Sequence, residues 1–274
     1  MEANLQRRIQ RYGWDRAADA YEDGWKDPLA PAQNDLLLKA EAWPGEHVVD
    51  LACGTGLVTL PIARVVGRGG RVIATDISER MVEVVRAEAA AQGLTQVHAH
   101  RADAESLDVI PDNSVDLVTC ALGLMYVADP LRAMTEAFRV LKPGGRAVFA
   151  VWGERRNCGW ADIFPIVDAR VKSAVCPLFF RLGTGATLAR EMDETGFYGV
   201  ESTRLETRLD YPDARAALQA AFAGGPVALA YHRFDAATRE AVHREYLASI
   251  RPFRTATGFS IAGEFVVARG FKPV

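Results

Sequence analysis

The stretch His47-Val48-Val49-Asp50-Leu51-Ala52-Cys53-Gly54-Thr55-Gly56 is a short apolar run that ends in a glycine turn. Leu57 to Val66 then continues with apolar residues at helical spacing. Strand, tight turn and helix follow one another within 20 residues, and only glycine takes such a turn while letting a ligand approach the backbone closely. Pro44-Gly45 marks the turn that precedes the strand.

The pattern repeats outward from there. Gly67 to Gly70 ends the first helix, and Arg71 to Asp76 is a second strand closed by an acid. Ser78 caps a helix that carries Met81, Val82, Val85 and Ala89 on one face and stops at Gly93. Val97 to Arg101 reads as a third strand, with Ala102-Asp103-Ala104 at its carboxyl end. Ser114 to Ala121 is a fourth. Asp129-Pro130 opens a helix through Leu141, Pro143-Gly144-Gly145 breaks it, and Arg146 to Trp152 is a fifth strand. Strands that alternate with helices imply right-handed crossovers and a parallel sheet, the α/β class. Further on, Leu188 to Thr195 is a helix stopped by Gly196, and Val200 to Leu209 is a sixth strand. Residues 212–252 form a helical excursion with helices at Ala214 to Phe222 and Asp235 to Ile250, and Phe259 to Gly270 closes as a seventh strand.

Ligands of such a sheet bind outside the carboxyl ends of its strands. The glycine turn, Asp76 and Asp103 all fall there. Asp76 stands 20 residues beyond Gly56, a spacing that suits a carboxylate accepting both hydroxyls of a ribose. Thr59 occupies the third glycine position of a dinucleotide loop, and the acid Asp50 precedes the turn. That combination favours a ligand with an ammonium group and no phosphate.

These residues resemble the class I S-adenosylmethionine-dependent methyltransferases. Val48 to Gly56 is similar to their first motif, Thr75-Asp76 to the second and Ala102-Asp103-Ala104 to the third. Leu141-Lys142-Pro143-Gly144-Gly145 is similar to a junction in the ubiquinone/menaquinone C-methyltransferase-like branch, within the bacterial small-molecule methyltransferases. The resemblance covers roughly residues 10–155. It implies a Rossmann-like, seven-stranded, mostly parallel sheet with an antiparallel last strand and helical cap insertions. It implies that S-adenosyl-L-methionine is the cofactor. Gly54 and Gly56 would line its methionyl part, with Asp50 reaching its amino group directly or through water. Asp76 would hold the ribose, Ile77 would pack on adenine, and Asp103 and the Ala104 amide would meet the adenine edge. Ala121 and Leu122 would lie near the methionine. Tyr21, within the lid-like segment Tyr12 to Tyr21, would close over it. The quinone enzymes carry Arg-Asn just past the fourth strand, where this chain has Met125-Tyr126. That departure points to a different acceptor.

The chemistry implied is an in-line displacement that delivers a methyl group to a small, apolar or aromatic acceptor. The protein's task is then alignment. Tyr126 and His232 are the candidates for touching the acceptor, as catalytic residues. His98 and His100 read as structural, and His243 as solvent-facing on a charged helix. No metal is expected, because no ligand cluster is visible. Two other readings stay open: a nicotinamide-dependent oxidoreductase and a non-catalytic S-adenosylmethionine-binding protein.

Composition sets the frame. The 274 residues suit one structural domain with three parts. Residues 1–43 would be lid helices, 44–152 the cofactor-binding core, and 153–274 would complete the sheet and carry acceptor-binding insertions. At 49% hydrophobic and 24% charged the chain is ordinary globular protein, which excludes disorder. A net charge of −3 offers no overall field for nucleic acid. Cys53, Cys120, Cys158 and Cys176 form no Cys-x-x-Cys pair, as expected of a cytoplasmic protein. The longest uncharged apolar run, Leu117 to Ala128, is too short for a membrane span, and Met1 to Tyr21 has no export-type apolar core. Arg7, Arg8 and Arg11 read as a solvated helix face, and self-association into a homo-oligomer is left open.

Overall fold

The computed structural model describes residues 3–171, 176 and 178–274. A 38-residue helix, α1 (Ala3–Ala40), opens the chain. Its buried residues Trp25, Leu29, Ala32, Leu36 and Ala40 recur every three or four positions, so one stripe of its second half faces the core. That half packs on the sheet; the lid-like segment is the first half of the same helix rather than a separate one.

The βα series follows as β1 (His47–Leu51), α2 (Thr59–Val66), β2 (Arg71–Asp76), α3 (Glu79–Ala91), β3 (Val97–Arg101), β4 (Val115–Ala121), α4 (Pro130–Val140) and β5 (Leu141–Trp152). Next come α5 (Ile163–Asp168), α6 (Thr187–Thr195), β6 (Tyr198–Tyr211), α7 (Ala214–Leu218), α8 (Ala228–His232), α9 (Ala236–Ser249) and β7 (Phe259–Phe271). The seven strands form one sheet in the order β3-β2-β1-β4-β5-β7-β6. β7 runs antiparallel to both its neighbours, and the remaining pairings are parallel. Val48, Val49 and Leu51 of β1 and Leu117 and Val118 of β4 are fully buried, as the centre of a sheet covered on both faces requires.

The elements differ from the sequence reading in several places. Pro143-Gly144-Gly145 does not separate α4 from β5, because β5 already begins at Leu141. The backbone there pairs with the segment after β7, through Gly144 N–H to Lys272 O at 2.9 Å and Lys272 N–H to Gly145 O at 2.8 Å. The helix expected over Ala214 to Phe222 is α-helical only to Leu218, then widens into a π-turn over Gln219–Ala223. That turn presses on α1: a Cβ at Gly24 would lie 2.8 Å from Ala220. The short helix α8 was not read from the sequence.

Side-chain caps hold the starts of α3, α4, α7 and α9. Ser78 Oγ accepts from Met81 N–H at the start of α3, and it donates to Asp15 Oδ1 at 2.7 Å, which ties α3 to α1. Among the described residues, no helix is long and apolar enough to cross a membrane.

Candidate functional site

The strand order reverses between β1 and β4, so a crevice opens beyond their carboxyl ends. A cavity lies there, bounded by the turns after β1, β2, β3 and β4, by the first half of α1 and by Gly225-Pro226. Two residues without glycine's freedom mark it. Ala52, just past β1, has φ 50°, and Leu122, just past β4, has φ 62°. Both line the cavity. Left-handed backbone at ordinary residues costs on the order of 1–3 kcal/mol and concentrates at functional sites. Gly123 makes the pair possible, because a Cβ there would fall 2.4 Å from the Ala52 Cβ.

The two motif glycines have different tasks. Gly54 has φ 54°, lines the cavity, and would place a Cβ in open space. Gly56 has φ 94° and would place a Cβ 3.3 Å from Leu60 and Val85. Gly54 therefore leaves room for a ligand, whereas Gly56 lets α2 and α3 close on the turn and does not line this cavity.

The acids behave differently from one another. Asp76 is 7% exposed and lines the cavity. Its Oδ2 accepts from Gly54 N–H and its Oδ1 from Ser78 N–H, each at 2.9 Å. One lone pair on each oxygen remains for a ligand hydroxyl. Burial pushes its pKa up to about 6, with the amides pulling against that rise. Asp50 is 1% exposed, and its carboxylate accepts from Thr59 Oγ1 at 2.6 Å and Thr119 Oγ1 at 2.8 Å. It thereby joins the start of α2 to β4 from beneath the turn. Burial raises it also to about 6, opposed by the two hydroxyls. Asp103 lines the cavity at the end of β3, with Oδ1 accepting from Glu105 N–H at 3.0 Å. Its Oδ2 lies 2.7 Å from Arg7 Nε of α1. Ile77, Ala104 and Ala121 all line the cavity.

Arg7 corrects the reading of a solvated arginine face. It pairs with Glu105 as well as Asp103. Glu105, 1% exposed, also accepts from Ala128 N–H at 2.6 Å and Asp129 N–H at 2.9 Å. One buried carboxylate thus fastens α1 to the loops after β3 and β4. Gln6 adds Nε2 contacts to the carbonyls of Tyr126 and Val127 at 3.2 and 3.1 Å.

The far end of the cavity is aromatic. Trp14, Tyr21, Trp25, Tyr126, Trp152 and Trp160 line it. Tyr126 packs edge-on between Trp14 at 5.0 Å and Phe179 at 5.3 Å, and Trp14 meets Tyr21 at 5.9 Å. Burial holds both tyrosine hydroxyls well above their ordinary range, so they stay protonated.

His232 is not part of this arrangement. It ends α8 on the exposed surface and does not line the cavity. His243, expected in solvent, is half-buried: its Nε2 lies 2.9 Å from Tyr231 Oη, and its ring stacks on Tyr231. His98 and His100 sit exposed on the edge strand β3. Among the described residues, no group of three His, Cys, Asp or Glu is placed to hold a metal. Sequence reasoning missed Arg7, Glu105, Ala52, Gly123, Trp25 and Trp152. Only Trp152 carried a usable signal, its place at a strand's carboxyl end.

Comparison with known proteins bears on the fold. Residues 49–149 match the family described as a methyltransferase domain. The ubiquinone/menaquinone biosynthesis C-methyltransferase UbiE of Teredinibacter turnerae is 41% identical over 115 residues, 42% of this chain and 46% of that protein. The match therefore spans about half the length of the curated relatives. The YcgJ protein of Bacillus subtilis superposes over 89% of this chain and 99% of its own, with a TM-score of 0.63 at 18% identity. Phosphoethanolamine N-methyltransferase 2 of Haemonchus contortus, solved with phosphomonomethylethanolamine and S-adenosylhomocysteine, covers 95% of this chain and 58% of its own. Its TM-score is 0.61 at 15% identity. The likeness at these low identities is one of fold. The stretch that matches the methyltransferase-domain family, residues 49–149, spans the five mutually parallel strands of the seven-stranded sheet.

Proposed function

We propose that this chain, which carries a methyltransferase domain, is an S-adenosylmethionine-dependent methyltransferase acting on a small, apolar or aromatic acceptor. The observation that supports it most is the row of ligand-facing groups along three adjacent strand ends. Gly54 after β1, Asp76 at the tip of β2 and Asp103 after β3 all border one cavity. The residues fit the cofactor: a Cβ-free wall at Gly54, two open lone pairs on Asp76, an apolar face at Ile77 and a carboxylate at Asp103. When bound there, S-adenosylmethionine supplies the transferable methyl group together with its own leaving group.

The chain's own residues bind, orient and exclude water. Asp76 would hold the ribose hydroxyls, and Asp103, fixed by Arg7, would face the adenine edge. Ala121 and Leu122 would border the methionine end. Asp50 joins α2 to β4 through Thr59 and Thr119 and borders a small pocket with Gly54 and Ala121, so it would reach the cofactor's amino group directly or through water. The aromatic end would take the acceptor, with Trp14, Tyr21 and Tyr126 shutting out water. Tyr126 would touch the acceptor as a packing surface, since a phenol held protonated is no base near neutral pH. The segments of residues 1–43 and 153–274 would act as lid and acceptor-binding parts around the core.

A nicotinamide-dependent oxidoreductase fits the site less well. Thr59 stands where a dinucleotide loop needs its third glycine, and its hydroxyl donates to Asp50 beneath the turn. Calorimetric titration with S-adenosylhomocysteine and, separately, NADH tests the proposal. Micromolar binding of the thioether, lost in Asp76→Ala, is the expected result. Binding of NADH instead would replace methyl transfer with hydride transfer.

A further inference from the structure

We propose that an arginine-lined cleft beside the nucleotide end of the cavity binds a dianionic phosphate group. The cleft, of about 510 Å³, lies between the first turns of α1 and the end of β3. Arg7, Arg8, Arg11 and Arg101 line it, and Asp103 is its one acid. A chain with a net charge of −3 thus gathers four guanidinium groups around one concavity.

Their charges are unevenly compensated. Arg7 is neutralised by Asp103 and Glu105, and Arg101 Nε lies 3.6 Å from Glu79. Neither Arg8 nor Arg11 has a carboxylate within ion-pair distance among the described residues. Arg11 rests over the Tyr12 ring at 5.4 Å, and its Nε is buried without a hydrogen-bond partner. A buried N–H left unpaired is destabilising, and native structures normally avoid it. Two uncompensated guanidinium forks match the charge and the planar recognition of a phosphate dianion. The cleft is also too wide for a lone ion to fill, which suits a phosphate carried on an organic group.

The cleft shares Arg7, Ile77, Ala102 and Asp103 with the main cavity. Occupancy of one is therefore felt at the other, and the effect is reciprocal. The proposal stands apart from the assignment of the cofactor.

Pyrophosphate is the probe, titrated calorimetrically into the full chain and into the double variant Arg8→Ala/Arg11→Ala. Arg8 is exposed and Arg11 partly buried on the first turns of α1, and thermal melting verifies that the variant folds. Saturable one-site binding that weakens at least ~10-fold in the variant is expected, given the strength of charge-assisted bonds. Arg8→Lys/Arg11→Lys keeps the charge without the fork and should fall between the two. Absence of saturable binding to the wild type, or equal affinity in the double variant, overturns the proposal. Phosphatidylcholine vesicles doped with phosphatidic acid separate the sources. Co-sedimentation lost in the double variant assigns the phosphate to a lipid headgroup, and pyrophosphate binding without co-sedimentation assigns it to a soluble ester. A parallel titration with S-adenosylhomocysteine reads the cofactor assignment by itself.

Discussion

The Asp76 carboxylate accepts the Gly54 amide proton at 2.9 Å, so the tip of β2 and the turn after β1 form one rigid unit. Burial raises Asp76 to about 6. Above that pH both oxygens accept, and below it one becomes a donor and cannot receive a ribose hydroxyl. The affinity for S-adenosylhomocysteine should be flat above about pH 7 and weaken as pH falls through 6. Hydroxyl donors favour the ionised form, so binding near pH 6 should release protons, detectable as a dependence of the calorimetric heat on buffer. Asp76→Asn should weaken binding about tenfold or more and remove this pH dependence. A wild-type affinity that is unchanged from pH 5 to 8 contradicts the role.

Gly54 and Gly56 should part company under substitution. Gly54→Ala places its methyl in open cavity, at a backbone cost of roughly 1–2 kcal/mol for the left-handed turn. Binding of S-adenosylhomocysteine should fall much further than stability. Gly56→Ala adds contacts at 3.3 Å to Leu60 and Val85 on top of φ 94°, and should cost roughly 2–4 kcal/mol of stability. Denaturant midpoints and calorimetry on both variants check this. Equal losses in both measurements for both glycines would show that the turn has a single task.

The sheet was legible because its signals are local. β2, Arg71–Asp76, is a largely apolar run closed by an acid, and the helix after it starts at the capping residue Ser78. The acids at strand ends were legible for the same reason. What could not be read depends on distant pairing. Arg7 and Asp103 are 96 positions apart, and only the folded α1 brings them together. Ala52 and Leu122 bear no mark of a left-handed backbone, because alanine and leucine rarely adopt one. His232 has aromatic neighbours in the sequence, but α8 turns it to the surface while Tyr231 faces His243. The π-turn over Gln219–Ala223 sets Ala220 close against Gly24, a contact with no local signature.

Asp50 should make stability depend on pH in a defined direction. Its folded pKa of about 6 lies above the ordinary value of 3.8, so the folded state holds its proton more tightly than the unfolded chain. The stabilising effect of that proton is complete below about pH 4. It is lost as pH rises through 6, and amounts to as much as ~3 kcal/mol. Asp50→Asn has no such titration. Its stability relative to the wild type should rise between pH 4 and 7 and level off above. Chemical denaturation at pH 4.5, 6 and 7.5 measures this, and a pH-independent difference would rule it out.

Arg7 should matter to the fold and to the nucleotide end together. Removing it leaves Glu105, 1% exposed, with backbone donors alone and frees α1 from the β3 turn. Arg7→Ala should cost on the order of 1–3 kcal/mol. Hydrogen exchange should speed up over residues 3–13, with little change in β1 and β4. Uniform exchange along α1 would mean that the helix is held by its apolar stripe and that the ion pairs add nothing.

Tyr126 separates packing from proton transfer. Its hydroxyl is held protonated by burial, while its ring is wedged between Trp14 and Phe179. Tyr126→Phe keeps the ring, so turnover should stay within about threefold of the wild type, with an unaltered pH profile. Tyr126→Ala opens the aromatic wall and should raise KM for the acceptor and lower kcat together. A loss of two or more orders of magnitude in Tyr126→Phe, with the ascending limb of the profile removed, would instead make the hydroxyl a proton acceptor. The acceptor would then be one that must surrender a proton, such as a phenol. Activity that survives in the phenylalanine variant leaves a nucleophile that reaches the cavity with its electron pair already free.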